Sequence, residues 1–203
     1  MKILLYGGTF DPPHKGHLHL LESAMEYLQP DKVVVMPAGV PPHKKASATP
    51  SSIRLAMCRC FETLGKQVQL SDWEISRKGK NYTVDTIGHL RQCYPHGKIY
   101  LCIGGDMITS FTAWKDWQRL LRWCTLVALC RDSGQMEPFE QAAEALRCKG
   151  AKIVVLPVSV VKQSSTDLRR QLIAGNSAKK LLPKQVAEVV EKYGLYQQKE
   201  GKV

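Results

Sequence analysis

Two histidines three residues apart, His14 and His17, follow a glycine pair in Gly7-Gly8-Thr9-Phe10-Asp11-Pro12-Pro13-His14-Lys15-Gly16-His17. The segment comes after an apolar run, Ile3-Leu4-Leu5-Tyr6, and before a periodic one, an order that reads strand, loop, helix. Glycines at a strand end let the backbone approach a ligand closely, because no Cβ intervenes. The helix that follows opens with unpaired N–H groups and the positive end of its dipole, which favour an anion and above all a phosphate. With His14 in the loop and His17 at the helix start, both imidazoles can donate to one phosphate from two sides. The alternative is a plain Gly/Pro turn with two solvated histidines, and the coincidence of strand, glycines, histidines and helix start argues against it.

This stretch resembles the G-T-F-D-x-x-H-x-G-H signature of the nucleotidyltransferase superfamily related to class I aminoacyl-tRNA synthetases, whose paired histidines hold ATP phosphates. A Walker A lysine loop and a G-x-G-x-x-G fingerprint are both missing.

Three further stretches could meet an anion or a ring. Gln163-Ser164-Ser165-Thr166-Asp167-Leu168-Arg169 reads as a helix start capped by Ser164 or Ser165, with hydroxyls for a polyphosphate and Arg169 as a charge-assisted fork one turn in. An ordinary cap with a surface arginine is the competing reading. Asn81-Tyr82-Thr83 opens a helix running to Cys93, with Asn81 or Thr83 as the expected cap, and offers a second cradle for a carboxylate or phosphate. Gly104-Gly105-Asp106 ends an apolar strand, at the edge where open α/β sheets bind ligands. Of Trp114 and Trp117 on a short helical segment, one should be structural. Residues 37–52 form a long Pro-, Ser- and Lys-rich loop, expected to act as a lid, from which His43 and Lys44 could swing onto a phosphate.

These groups need a scaffold, and the apolar runs supply one. Residues 32–36, 68–70, 99–103, 124–130 and 152–156 read as strands, several without polar alternation, as in parallel strands buried on both faces. Helices are expected at 17–28, with Leu18, Leu21, Met25 and Leu28 on one face, at 51–64, 83–93 and 138–148, and after Pro183, where Val186, Val189, Val190 and Tyr193 form the apolar side. The alternation predicts an α/β fold: a doubly wound, mainly parallel Rossmann-like sheet with helices on both faces. A single domain is expected over residues 1–196, with a polar, frayed tail at 197–203.

At 203 residues and 44% hydrophobic the chain can bury a sizeable core, and its net charge of +11 suits polyanionic partners. The basic residues are dispersed, without an RNA-recognition signature, so no stable nucleic-acid complex is expected. Seven cysteines without C-x-x-C spacing support neither a disulfide framework nor a structural zinc site. Cys102, Cys124 and Cys130 read as core, and Cys58 and Cys60 should point in different directions. No run approaches a membrane span and no signal peptide is expected, so the cytoplasm is the natural compartment. His14, His17 and His19 diverge too far to bind zinc, and no metal-ligating residues are expected.

No G-x-S-x-G elbow and no cysteine with a nearby motif histidine is present, so an activated nucleophile must come from a substrate. From Tyr6 to Tyr196 the chain resembles the bacterial nicotinate-nucleotide adenylyltransferase family. The matching pieces are the signature, Pro41-Pro42-His43-Lys44, the 72–83 stretch ending in Tyr-Thr, Ile103 to Asp106, Trp114, Ser164 to Thr166 with Arg169, and Gly194-Leu195-Tyr196. The resemblance implies ATP and nicotinate mononucleotide as substrates, with deamido-NAD and pyrophosphate as products. It implies that a phosphate of the mononucleotide, already ionised at pH 7, attacks the ATP α-phosphorus in line without a general base. His14, His17 and Arg169 would be catalytic, and Gly8, Thr9, Phe10, Lys44, Ser164, Ser165 and Thr166 would line ATP and its phosphates, with Mg²⁺ carried in by ATP. Tyr82 and Thr83 would bind the nicotinate carboxylate, Gly104 and Asp106 the mononucleotide, and Trp114 would stack on its ring. The family usually has Ser at the place of Asn81 and an aliphatic residue at that of Gln163; neither departure removes a catalytic group, and Asn81 loosens the implied preference for acid over amide. Rival readings are phosphopantetheine adenylyltransferase, which leaves Asn81 to Thr83 and Trp114 unexplained, and a basic nucleic-acid-binding module. A homo-oligomer is compatible with the sequence.

Overall fold

The computed structural model describes residues 1–40, 47–130, 136–158, 163–175 and 178–198. In chain order the elements are β1 (Lys2–Gly8), α1 (Lys15–Leu28), β2 (Lys32–Pro37), α2 (Ser51–Cys58), β3 (Val68–Leu70), α3 (Thr83–Cys93), β4 (Lys98–Gly104), α4 (Gly105–Thr109), α5 (Trp117–Trp123), β5 (Cys124–Cys130), α6 (Met136–Arg147), β6 (Ile153–Pro157), α7 (Ser165–Ile173) and α8 (Lys184–Lys192). The strands join in the order β3-β2-β1-β4-β5-β6, and every neighbouring pair is parallel, so the sheet is wholly rather than mainly parallel.

Alternate residues of each strand feed opposite faces. Leu4, Tyr6, Val33 and Val35 enter one core with Leu21 of α1, Phe61 and Val186 of α8. Ile3, Leu5, Val34 and Met36 enter the other with Ile87 of α3, Leu120 of α5 and Phe139 of α6. Each fully buried Leu or Phe contributes about 1.5–3 kcal/mol. The arginine ion pairs to Glu140, Glu144 and Asp167 are solvent-exposed, worth about 0–1 kcal/mol each, so burial on both sheet faces holds the fold. The chain leaves β1 toward β2 on one side and enters β4 on the other, which opens a crevice at their carboxyl ends.

Several expected boundaries shift for local reasons. Helix α1 starts at Lys15, two residues earlier than the periodicity suggests, with His14 as its N-cap. The helix at 51–64 is α-helical only to Cys58, and residues Arg59–Leu64 tighten into a 3₁₀ helix. That tightening brings Cys58 and Cys60 into one core, against the expected divergence, because two 3₁₀ residues lie about 120° apart on the helix circumference and two α residues about 160°. Burial pushes the Cys60 thiol up to about 12. Gly104 ends β4 as expected and also caps α4, which Gly105 and Asp106 begin. Tyr193 leaves the apolar face of α8 and is 49% exposed, since the helix ends at Lys192 and Gly194 turns the chain at φ +55. Leu195 then donates its N–H to the Val190 carbonyl, which brings Tyr196 back onto the body of the protein.

Candidate active site

The loop between β1 and α1 cannot satisfy its carbonyls within a ladder, and two helices from elsewhere in the chain do so. Buried Arg54 of α2 donates Nη1 to the Thr9 carbonyl at 2.8 Å. Arg169 of α7 donates Nη1 to the Asp11 carbonyl at 2.6 Å, and Ser165 Oγ donates to the Pro12 carbonyl at 2.9 Å. Carbonyl dipoles that would repel an anion are thereby tied to guanidinium and hydroxyl donors. The Asp11 carboxylate accepts from Ser47 Oγ at 2.7 Å and from the Tyr196 hydroxyl. Burial works against its ionisation, but the hydroxyls of Thr49, Tyr196 and Ser47 and the nearby charge of Arg169 outweigh burial and hold this carboxyl below its ordinary range.

His14 and His17 are brought together as their spacing predicts, with ring centroids 3.8 Å apart. The His14 backbone N–H donates to His17 Nδ1 at 3.2 Å, the reach-back half of a capping box. An accepting Nδ1 assigns the ring proton to Nε2, so His17 is a hydrogen-bond donor on its far side. Tyr6 Oη donates to the His17 carbonyl at 3.1 Å, and the Phe10 ring meets the His17 imidazole edge-on at 5.3 Å. Phe10 takes φ +50, an uncommon value away from glycine, and packs its ring over Gly8, where a Cβ would come within 2.8 Å. Gly8 therefore makes room for the motif phenylalanine as well as for a ligand.

A cavity of about 610 Å³ opens at the β1/β4 crevice, in the size range of nucleotide-scale ligands. Gly8, Thr9, Phe10 and His17 from the β1 loop and α1 line it together with Tyr82, Thr83, Gly104 and Trp114. Its lining does not include His14, Ser164, Ser165, Thr166 or Arg169. His14 is buried at the N-cap of α1. Ser164 Oγ caps α7 by accepting from the Asp167 N–H at 3.1 Å, and it donates to the Asp167 carboxylate at 2.6 Å. Thr166 Oγ1 accepts from Arg169 Nη2 at 3.3 Å. His43 and Lys44 lie outside the described residues, and of Asp106 the backbone is described but the side chain is not.

Helix α3 is capped by extended Tyr82, not by Asn81 or Thr83, and no side chain caps its first turn. Asn81 is diverted: its Nδ2 donates to the Glu74 carbonyl at 3.2 Å, and its N–H donates to the Val40 carbonyl at 2.9 Å. The Glu74 side chain lines the cavity and accepts from Thr86 Oγ1 at 2.6 Å and from the Gly39 N–H at 3.3 Å. Burial raises its pKa above the ordinary carboxylate value, against these two donors and the charges of Arg54 and Arg77. Trp114 lies tilted against Phe111 with centroids 5.1 Å apart; it and Trp117 both pack on the core of the same sheet face, and of the two Trp114 lines the cavity.

Asp11, Arg54, Glu74 and Thr86 are the site residues that sequence reasoning passed over. Asp11 stood in the motif without a role, and nothing local distinguishes Arg54 from a solvated helix arginine. The Gly39 contact gives one test. A Cβ there would sit 2.1 Å from Asn81 Nδ2 and 2.5 Å from the Glu74 carbonyl oxygen, and the latter moves only with the backbone. Gly39→Ala is expected to destabilise the protein by about 1–3 kcal/mol, read as a lower urea midpoint.

Among the described residues no group of three His, Cys, Asp or Glu side chains is arranged to hold a metal ion, and no helix is long and apolar enough to cross a membrane. A wholly parallel sheet in this strand order with a cavity at its switch point is the doubly wound fold of nucleotide-binding α/β proteins. Residues 5–171 match the family model described as cytidylyltransferase-like. A protein of Clostridium tetani named "Probable nicotinate-nucleotide adenylyltransferase" is 34% identical over 96% of this chain and 98% of its own length. One of the same name from Exiguobacterium sibiricum is 35% identical over 97% and 99%. The solved Plasmodium falciparum nicotinic acid mononucleotide adenylyltransferase complexed with NaAD shares the fold at TM-score 0.77, with 20% identity over 96% of this chain and 97% of that one. The chain belongs to the nicotinate-nucleotide adenylyltransferase family and is a nucleotidyltransferase.

Proposed function

We infer that the protein joins nicotinate mononucleotide to the adenylyl group of ATP, giving deamido-NAD and pyrophosphate. The observation that carries this reading is the one cavity these groups share. A tautomer-fixed histidine donor lies at the glycine loop, and an indole stands beside a helix N-terminus without a side-chain cap, all on one surface. N–H donors at a helix start suit a carboxylate better than a carboxamide. Family membership supports the same pair of substrates.

In this reading the mononucleotide phosphate attacks the α-phosphorus of ATP in line, and pyrophosphate leaves. The attacking oxygen is already ionised at neutral pH, so the protein supplies position and charge compensation rather than a base. His17 and His14 donate to the α-phosphate and the bridging oxygen, where negative charge grows. Arg169 commits two of its five N–H groups to Asp11 and Thr166, which leaves three that would offset the charge of the leaving phosphates, a role shared with Lys44. Mg²⁺ carried in with ATP would offset phosphate charge, and among the described residues no group of three His, Cys, Asp or Glu side chains is arranged to hold it. Gly8, Thr9 and Phe10 line the nucleotide, Ser164, Ser165 and Thr166 shape the loop behind its phosphates, Gly104 and Asp106 meet the mononucleotide, and Trp114 stacks on the pyridine ring. The hydrogen bond from Tyr196 to the motif aspartate supports reading residues 1–196 as one domain.

The test is pyrophosphate release from ATP with nicotinate mononucleotide, nicotinamide mononucleotide, phosphopantetheine and flavin mononucleotide offered singly. Turnover greatest with the acid mononucleotide is the expected result. Release with phosphopantetheine alone, or salt-sensitive RNA binding without any release, would replace this reading with one of its rivals.

A further inference from the structure

Among the described residues lining the cavity, Lys115 is the one lysine or arginine. Its Nζ stands 4.3 Å from the centroid of the Tyr82 ring, over the residue that caps α3 and next in sequence to Trp114. The cation–π contact gives a long, otherwise mobile side chain a preferred place at the α3 end of the cavity. The one carboxyl among the described lining residues, that of Glu74, is bonded by Thr86 and Gly39 and so is engaged by the protein's own donors.

We propose that the Lys115 ammonium, resting on Tyr82 beside the first turn of α3, is a specificity-determining group that selects a ring carboxylate over a ring carboxamide. The inference rests on the reading that the pyridine mononucleotide occupies this end of the cavity. Backbone N–H groups attract both the oxygen of an amide and that of an acid, and differ between them only in strength. A full positive charge adds attraction for the acid alone, which an amide does not share. Lys115 is solvent-exposed, so water and salt screen that attraction, and the expected gain is about three- to fivefold in discrimination.

The experiment compares kcat/KM for nicotinate mononucleotide and nicotinamide mononucleotide at saturating ATP in the wild type and in Lys115→Gln, Lys115→Met and Lys115→Arg. In the two neutral variants the acid-to-amide ratio falls about three- to fivefold, through a higher KM for the acid with kcat kept, and the arginine variant restores it. Raised salt lowers the ratio in the wild type and leaves it unmoved in the neutral variants. An unchanged ratio, or an equal loss for both substrates, overturns the assignment while the adenylyltransferase reading stands. Failure of the wild type to release pyrophosphate with either mononucleotide overturns both.

Discussion

Replacing His17 by alanine is expected to lower kcat for pyrophosphate release by about 10²–10³-fold, the effect of removing one donor aimed at charge that develops in a transition state. The bond from the His14 N–H fixes the Nδ1 acceptor and therefore the Nε2 donor, so the imidazole needs no reorientation when the α-phosphate charge rises. Because that donor acts on the transition state more than on bound ATP, kcat should fall far more than KM rises. The same substitution removes the reach-back half of the α1 capping box, which costs about 1 kcal/mol of stability and leaves the sheet core intact. His17→Gln, which keeps an N–H near the Nε2 position, should recover part of the rate. Single-turnover kinetics, with the urea midpoint measured on the same samples, separates the two effects. A loss confined to KM, with kcat unchanged, would contradict the role given to this ring.

The donor and its loop were legible in the sequence because their determinants are local. Gly7-Gly8 at the end of an apolar run, a proline pair and two histidines three apart specify strand, loop and helix within seventeen residues. The strands were legible for a similar reason: β-branched runs such as Val33-Val34-Val35 are buried on both faces and show no polar alternation. What stayed hidden is what holds the loop. Arg54 reaches Thr9 across 45 residues and Tyr196 reaches Asp11 across 185, and no periodicity carries such a pairing. Asn81 misled for a physical reason, since an asparagine before a helix is a good cap only when nothing competes for its amide. Here the Glu74 carbonyl competes and wins, and the cap passes to a tyrosine with no side-chain bond to offer. The first turn of α3 is left without a side-chain cap, and it lies beside the cavity that Tyr82 and Thr83 line.

The aspartate at the centre of those distant ties gives the second large effect. Asp11→Asn is expected to cost about 2 kcal/mol of stability at pH 7, because hydrogen bonds to a charged group are worth roughly 1.5–3 kcal/mol and the amide keeps only part of them. Its sign with pH follows from the direction of the shift. The folded-state pKa of Asp11 lies below the ordinary value of 3.8, so as the medium is acidified the unfolded chain takes up the proton first. The stabilisation is therefore complete above that ordinary value and is lost as pH falls below it through the folded-state value. Wild type and Asp11→Asn should differ in urea midpoint at neutral pH and converge in acid below about pH 4. A buried neighbour adds to the neutral-pH cost: burial pushes the Arg54 guanidinium down, the Asp11 carboxylate pulls it back up, and the asparagine removes that support. Tyr196→Phe removes one donor to the same carboxylate, so the double variant should lose less than the sum of the singles, by at least about 0.5 kcal/mol. A gap that stays constant from neutral to acid pH, or a coupling near zero, would mean that the charge of Asp11 does not tie the closing tyrosine to the phosphate loop.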